Sequence, residues 1–481
     1  MSARGWRGCG DVRERDPKTE SNWGETCRFP PTPPPRGLTD RTNLAFAAAG
    51  LKRDVGITIA QYGLGSSLLF VTYCGAQLLV SLIGARFGAV RVLSVACIVW
   101  GITAASMAAV SSPWSFYAAR LALGLAEAPT YPLIATYLRT FHARDTAVGA
   151  AYSYVHAATL VASVIGGPIA AAVLSMDGLA GLAGWRWLFI VEGILPIAVG
   201  IWVAFLPHTP ACAKFLTPEE RCRLEADVTA ARGDGATRAA AADAASLWDA
   251  LKHTLTNWRI MVAGTIEGVF GGGKWAAQFF TPLIIEQILT GEKIAAGGPV
   301  VSHGRRLLAE KRSARYVILS ALLSAIPFFM AAATSVLNGW AANKTRAARG
   351  WGRKWFIVWP GLVCAAGLFV VGPVLDAPSS NATRAIAFLA VIAALQGFAG
   401  WGVIMSLPSS LAGGTAAHGA MAYAMFIALG TLGGVWGPAL MGALTAKAGS
   451  YTLGGAVLGG VALAMAALWA VTFGCIVPGG K

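Results

Sequence analysis

Ionisable side chains lie inside apolar stretches of this chain, where a charge is costly. Arg120 and Glu127 are separated by seven positions in one such stretch. This spacing places both side chains on one face of a helix, about 10 Å apart along its axis. A charge in a bilayer costs about 2.5 to 3.5 kcal/mol on insertion scales, so a charge that is kept there indicates a functional site. We expect each of the two to face a polar cavity or a partner on another helix.

The chemistry open to this pair is proton exchange and anion binding. Burial and a neighbouring arginine act in opposite senses on the ionisation of a carboxyl group. Glu127 can therefore be poised to bind and release a proton as a cavity opens and closes. The alternative is a buried ion pair that only fixes the orientation of the helix.

Glu267 and Lys274 repeat the seven-residue spacing around the glycines at 271–273. Flexible glycines favour a broken helix whose backbone is open to a substrate, and Lys274 would attract an anion. Two other interpretations stay open: an ion pair that compensates itself, and a side chain that extends to the membrane interface.

Other polar residues within the apolar stretches are weaker candidates. Trp185-Arg186-Trp187 favours an aromatic belt at the membrane interface with a charged anchor, and Glu192 lies deeper in the same stretch. Single polar residues in spans are more often satisfied by a neighbouring helix. Those that could line a polar path are Tyr73, His156, Gln396 and Ser406.

The elements that carry these residues are membrane helices by composition. The chain has 481 residues, of which 56% are hydrophobic and 13% are charged, against about 25% charged residues in a soluble domain. Apolar stretches of spanning length recur after residue 56, which predicts an all-α polytopic membrane protein. The net charge of +15 is spread over the connections between these stretches, which argues against nucleic-acid binding.

The basic residues concentrate in alternate connections, which by the positive-inside rule face the cytoplasm. The connection at 293–315 is an exception, because it is basic on the predicted outer side. The scattered cysteines have no metal-type spacing, and no nucleotide-binding or nucleophile motif is present. We therefore expect no metal, no cofactor and no enzymatic activity.

Four segments are predicted along the chain. They are a disordered N-terminal segment at 1–37, an N-terminal helix bundle at 38–206 with a partial first helix, a cytoplasmic linker at 207–257 and a C-terminal six-helix bundle at 258–481. Gly166-Gly167-Pro168 in the first half is echoed by the stretch Gly433–Pro438 in the second. This echo predicts two parallel repeats of six helices.

Several motifs occur together in a specific order. They are Asp40-Arg41-Thr42-Asn43-Leu44, Gln61-Tyr62-Gly63, Trp100-Gly101, the stretch from Arg120 to Pro129, the stretch from Gly184 to Gly193, and the stretch from Gly433 to Gly442. In these motifs the chain resembles the major facilitator superfamily and, within it, the anion:cation symporter family of phthalate, tartrate, allantoate and sugar-acid permeases. The resemblance implies two six-helix bundles with a carboxylate bound between them, usually cotransported with protons.

The resemblance also implies roles for individual residues. Arg41 and Arg120 would be the cationic contacts of the substrate, Asp40 and Glu127 the protonatable pair, and Tyr73 a polar wall residue. A guanidinium suits a carboxylate because it offers a fixed fork of donors and stays charged. The family's first helix begins well before the position of Asp40, whereas here the preceding residues are polar. We therefore expect a truncated first helix and about 11 full spans.

The sequence as a whole predicts a secondary active transporter of a small organic anion, with proton symport by alternating access. The expected substrate contacts are Arg41, Tyr73, Arg120, Lys274 and Gln396. The alternatives are a sodium-coupled or exchange carrier of inorganic anions, and a transport-dead membrane sensor or incomplete gene product. The expected partners are the anion, protons and the lipid bilayer, for a monomer in either a plasma or an organellar membrane.

Overall fold

The chain folds into long α-helices. The computed structural model describes residues 39–142, 164–232, 244–291, 303–344, 354–404 and 416–476, together with the single residues 162, 352, 407 and 411. No β-strand occurs among these residues, which confirms the predicted all-α class. Residues 1–38 lie outside them, so the disordered N-terminal segment and the truncation of the first helix stay predictions.

Helices of the first half and of the linker follow in chain order. The first half contains α1 (Thr39–Gly50), α2 (Ile59–Phe87), α3 (Ala89–Ser106), α4 (Pro113–Glu127), α5 (Thr130–Phe141), α6 (Val164–Leu174) and α7 (Gly184–Ala204). The linker contains α8 (Pro218–Arg232) and α9 (Ala244–Thr256).

The second half begins directly after the linker. It contains α10 (Trp258–Thr290), α11 (His303–Lys344), α12 (Trp355–Asp376), α13 (Asn381–Leu395), α14 (Trp401–Ile404), α15 (Ala416–Thr431), α16 (Gly433–Ala448) and α17 (Tyr451–Ile476). Helix α11 begins at His303, so much of the predicted loop between α10 and the next span is helical.

Seven helical segments of the described residues are long and apolar enough to cross a membrane. They are Ala89–Ala109, Gly184–Ala204, Arg315–Ala342, Trp355–Asp376, Asn381–Phe398, Met421–Ala448 and Tyr451–Ile476. Large apolar side chains on several of them are exposed, including Ile102, Leu389 and Val471. Exposed apolar side chains along spanning helices are stable against lipid, which confirms a multi-pass membrane protein.

The prediction of a broken helix at 271–273 is wrong. Helix α10 runs without a break through these glycines, because they accommodate close neighbours instead of bending the chain. A Cβ on Gly272 would overlap the ring of Trp436 in α16. A helix of the second half is interrupted at another place, between α13 and α14, where Gln396–Phe398 form a 3-10 turn.

Helices α2 and α16 join the two halves. Gly63 and Gly442 allow the two backbones to touch, since a Cβ on Gly63 would overlap the carbonyl oxygen of Pro438 and lie 3.0 Å from the Cα atom of Gly442. The amide of Ala439 donates to the hydroxyl of Ser67 at 3.0 Å. We call this the outer end, because it lies towards the connections around Asp177 and Asp376, which are poor in positive charge and are therefore predicted to be outside the cytoplasm. The halves are therefore in contact at the outer end.

Candidate functional site

Arg120 is fully buried in the first half. Its Nε atom donates to the carbonyl oxygen of Gly65 at 3.3 Å, which ties α4 to α2. The two helices approach closely because Gly65 and Gly124 lack side chains: a Cβ on Gly65 would overlap the ring of Phe116. Arg120 thus has its position fixed by small residues on both helices.

Glu127 lies at a break in the helix. It is the last residue of α4, and Ala128 and Pro129 form a turn before α5 begins at Thr130. Its side chain is fully buried. The turn keeps α-helical backbone angles, and the amide of Ala128 still donates to the carbonyl oxygen of Gly124, so α5 continues close to the direction of α4.

Lys274 and Glu267 form a buried ion pair in the second half. The Nζ atom of Lys274 donates to the Oε1 atom of Glu267, and both side chains are fully buried. Two long side chains bridge about 10 Å of helix here. The ion pair is thus present, and the interpretation as a side chain that extends to the interface is wrong. The predicted contact of Lys274 with a substrate stays a prediction.

Three aromatic rings surround the ammonium group of Lys274. Its Nζ atom lies 4.0 Å from the ring centroid of Trp401 and 5.7 Å from those of Phe270 and Phe398. We call these three residues the aromatic cage. Cation–π contacts of this kind are worth about 2 kcal/mol when desolvated. The 3-10 turn between α13 and α14 is what brings Phe398 and Trp401 over α10.

Gln396 opens that turn. Its Oε1 atom accepts a hydrogen bond from the hydroxyl of Thr334, and its Nε2 atom donates to the carbonyl oxygen of Ile392 at 3.3 Å. The amide therefore stabilises the turn that carries the cage. Its predicted contact with substrate stays a prediction.

Gln278 was not among the predicted site residues. It is fully buried, and neither its amide oxygen nor its amide nitrogen has a hydrogen-bond partner among the described residues. At 100° per residue, Glu267, Lys274 and Gln278 lie within an arc of about 40° on α10. The spacing of polar residues along this stretch could have indicated it.

Several other predicted residues cannot be placed at the site by their side chains. Asp40 and Arg41 belong to the backbone of α1, but their side chains lie outside the described residues, as do His156 and Ser406 entirely. Tyr73 is buried in α2.

Tyr62 was not predicted as a site residue. Its hydroxyl donates to the carbonyl oxygen of Phe279 at 2.9 Å and so joins the two halves.

The aromatic-belt interpretation is wrong for Trp185. This side chain is buried, and its indole Nε1 donates to Asp54 at 2.7 Å. Asp54 lies in the π-helical turn Leu51–Val55 after α1, outside the spans. Burial alone would raise the pKa of Asp54, but the hydrogen bonds from Arg53 and Trp185 and the charges of Arg53 and Arg186 together hold that pKa below its ordinary value.

With this geometry in view, comparison with known proteins settles the family. Residues 37–303, more than half of the chain, match the Major Facilitator Superfamily. The chain belongs to this superfamily. A protein of Agrobacterium vitis that is provisionally named a tartrate transporter is 31% identical over 89% of this chain and 85% of its own length. NicT of Pseudomonas putida, provisionally named a metabolite transport protein, is 27% identical over 91% of this chain and 87% of its own length.

Solved structures agree with the fold of this superfamily. A bacterial homologue of the human lysosomal transporter Spinster, in an inward-facing and unoccupied conformation, has a TM-score of 0.61 at 15% identity and covers 92% of this chain and 95% of its own. A D-xylose–proton symporter has a TM-score of 0.60 at 16% identity and covers 92% and 96%. These structures share the fold of the chain, and the match to the superfamily reported above makes it a multi-pass transporter.

Proposed function

We propose that this transporter carries small organic anions with carboxylate groups, driven by protons. The observation that carries the proposal is a fully buried cation in each half, Arg120 in α4 and Lys274 in α10. A desolvated cation binds a carboxylate strongly, because water no longer competes for it. A dicarboxylate offers one negative charge to each half, and the Agrobacterium vitis relative is named for such a compound, tartrate.

Buried carboxyl groups support coupling to protons. Glu127 and Glu267 are both fully buried, where a carboxylate without a counter-ion is costly. Any step that removes such a counter-ion therefore favours protonation. On this basis we assign Glu127, together with Asp40, to proton coupling, and Arg41 with Tyr73 and Gln396 to the wall of the substrate site.

Alternating access would move the two halves as bodies. We assign residues 38–206 and 258–481 to the two moving bundles and residues 207–257 to the linker between them. The α2–α16 contact supports this division, because it joins the halves at the outer end through Gly63, Gly442 and the hydrogen bond between Ala439 and Ser67. Each chain holds both cations, so the proposed transport unit is a monomer.

The test is uptake of labelled carboxylates into proteoliposomes that contain the full chain. Tartrate, succinate and phthalate would be compared under an imposed pH gradient, an imposed sodium gradient and neither. The proposal expects accumulation under the pH gradient, lost in Arg120→Ala and Glu127→Gln. Accumulation driven only by sodium would instead favour the sodium-coupled carrier. Absence of uptake under every gradient would contradict the proposal.

A further inference from the structure

We infer that the Glu267–Lys274 ion pair is opened by the substrate. A carboxylate of the transported anion replaces Glu267 as the counter-ion of Lys274, and Glu267 takes up a proton that crosses with the anion. This inference rests on the proposed function and adds to it a second coupling group, in the second half of the molecule.

The position of the pair along α10 suits this exchange. Lys274 lies at the midpoint of the helix Trp258–Thr290. If this helix crosses the membrane as the sequence predicts, the ammonium group lies near the middle of the bilayer. Glu267 lies about 10 Å nearer to the end that meets the linker, which is the predicted cytoplasmic end. A proton bound by Glu267 is thus held on the side to which an imported anion is released.

Charge balance links the anion to the proton. The closed pair is neutral, and both side chains are fully buried. An incoming carboxylate brings one negative charge, and the site becomes neutral again when Glu267 binds one proton. Without that proton, two carboxylates would share one lysine out of contact with water, which is strongly unfavourable.

Among the described residues, no charged side chain other than its own two members acts on the pair. Among the described residues, the titratable groups that act on Lys274 are Glu267 and the thiol of Cys364 in α12. The 3-10 turn, α14 and α15 face the pair with uncharged residues, namely Phe398, Trp401 and Gly430. Helix α1 also packs against α10 and carries Asp40 and Arg41, whose side chains lie outside the described residues.

Two further observations point to a ligand at this place. The buried amide of Gln278 lies on the same face of α10 as Lys274, and it has no hydrogen-bond partner among the described residues. Such an amide can donate to a carboxylate and accept from an adjacent hydroxyl. The aromatic cage also matters, because it stabilises the lysine charge while Glu267 is neutral.

Binding of labelled tartrate to the purified full chain at a series of pH values tests the inference. Linkage requires the logarithm of the Kd to change by about one per pH unit for each proton that binds with the anion. The affinity of the wild type is expected to rise as pH falls. In Glu267→Gln, which mimics the protonated group, the slope is expected to fall by about one and the affinity at high pH to rise at least tenfold.

Two variants separate this role from a structural one. The double variant Glu267→Gln/Lys274→Gln is neutral and keeps similar volumes, so it is expected to fold and to bind tartrate at least 100-fold more weakly at every pH. Asp376→Asn is the control, since that carboxylate lies at the outer end and accepts from Thr452 at 2.6 Å. It is expected to keep the wild-type slope and affinity.

The outcomes are distinguishable. An unchanged slope in Glu267→Gln, or wild-type affinity in the double variant, would overturn the inference while leaving proton-driven uptake by the wild type intact. If Glu267→Gln does not fold, the double variant still decides whether Lys274 binds the anion. A wild type that neither binds nor carries any carboxylate would refute the proposed function itself.

Discussion

A buried lysine keeps its charge only where its surroundings replace the water that it has lost. Lys274 has a carboxylate and three aromatic rings for this purpose. Arg120 is held differently, by a carbonyl oxygen of the neighbouring helix α2. The two halves therefore hold their cations differently: Lys274 pairs with a carboxylate of its own helix, whereas Arg120 donates to a carbonyl oxygen of another helix.

The first residue-scale prediction concerns Arg120→Lys. Lysine keeps the positive charge but lacks the Nε donor to Gly65 and the planar fork that fits a carboxylate. We expect the KM for tartrate uptake to rise about tenfold, equivalent to about 1.4 kcal/mol. Arg384→Lys, at an exposed position at the outer end, is the matched control. Equal KM values for Arg120→Lys and the wild type would contradict the role of Arg120.

The second residue-scale prediction concerns Gln278→Leu, a substitution that removes the side-chain amide and keeps a similar volume. Discrimination by a buried amide depends on the hydrogen bond that a substrate hydroxyl makes with it. We expect the ratio of tartrate to succinate uptake to fall about tenfold while succinate uptake changes little. Competition uptake with both labelled acids measures this ratio directly. A ratio that stays at the wild-type value would show that the amide does not form a hydrogen bond with the substrate hydroxyl.

The sequence could indicate some of these residues and not others. A charge in an apolar stretch is visible without a structure, so Arg120, Glu127, Glu267 and Lys274 were all found. The partners of Lys274 were not, because Phe398 and Trp401 reach it through a turn more than 120 residues away in the chain. The spacing of Gln278 from Lys274 is visible in the sequence, but the lack of hydrogen-bond partners for its amide among the described residues is not, because that depends on neighbours in space.

Glycines decide how the helices meet at the scale of elements. Gly63 and Gly442 sit where α2 crosses α16, and each would overlap the other helix if it carried a side chain. Gly272 has the same effect for α10 and α16, and Gly271 and Gly273 lie close to α15 and α12, which is why a cluster that predicted a helix break is a packing surface. Short sequences of small residues predict close approach but not which helix approaches.

We predict that Gly63→Leu prevents the halves from closing at the outer end. Gly75→Leu is the control, because Gly75 lies on the same helix and a Cβ added there would have no atom within 4 Å. We expect tartrate uptake to fall at least tenfold in Gly63→Leu and less than twofold in Gly75→Leu. Labelling of Phe280→Cys by an impermeant maleimide should increase in parallel. Similar uptake in both variants would contradict closure through this crossing.

The outer turn gives a prediction about pH. The pKa of Asp54 is lowered in the folded protein, so its contribution to stability is present above the ordinary pKa of an aspartate, about 3.9, and is lost as pH falls through the lowered value. Asp54→Asn is expected to lower the Tm by roughly 1–3 °C at pH 7 and to match the wild type at the acid limit.

Thermal unfolding of the purified protein between pH 7 and about pH 2 measures this difference. Asp227→Asn, on the exposed linker helix α8, is the control and should follow the wild type throughout. A Tm difference between Asp54→Asn and the wild type that stays constant down to the acid limit would contradict the assigned role of Asp54.

The whole molecule is a superfamily transporter with charged groups buried in both halves. Its fold could be predicted because spanning length, basic connections and repeated motifs all act over many residues and agree with one another. The start of α11 at His303 could not be predicted, because polar and basic residues continue this helix beyond the apolar stretch. The coupling of anion to proton belongs to this scale, because it requires both halves to move.

The most direct test of that coupling is the internal pH of proteoliposomes during tartrate entry. The full chain would be reconstituted with a trapped pH dye, with equal pH on both sides and the membrane potential held at zero by potassium and valinomycin. Addition of external tartrate is predicted to acidify the interior in proportion to the tartrate taken up. In Glu267→Gln, fewer protons are expected to enter with each tartrate. Entry of tartrate at an unchanged internal pH would contradict proton-coupled transport.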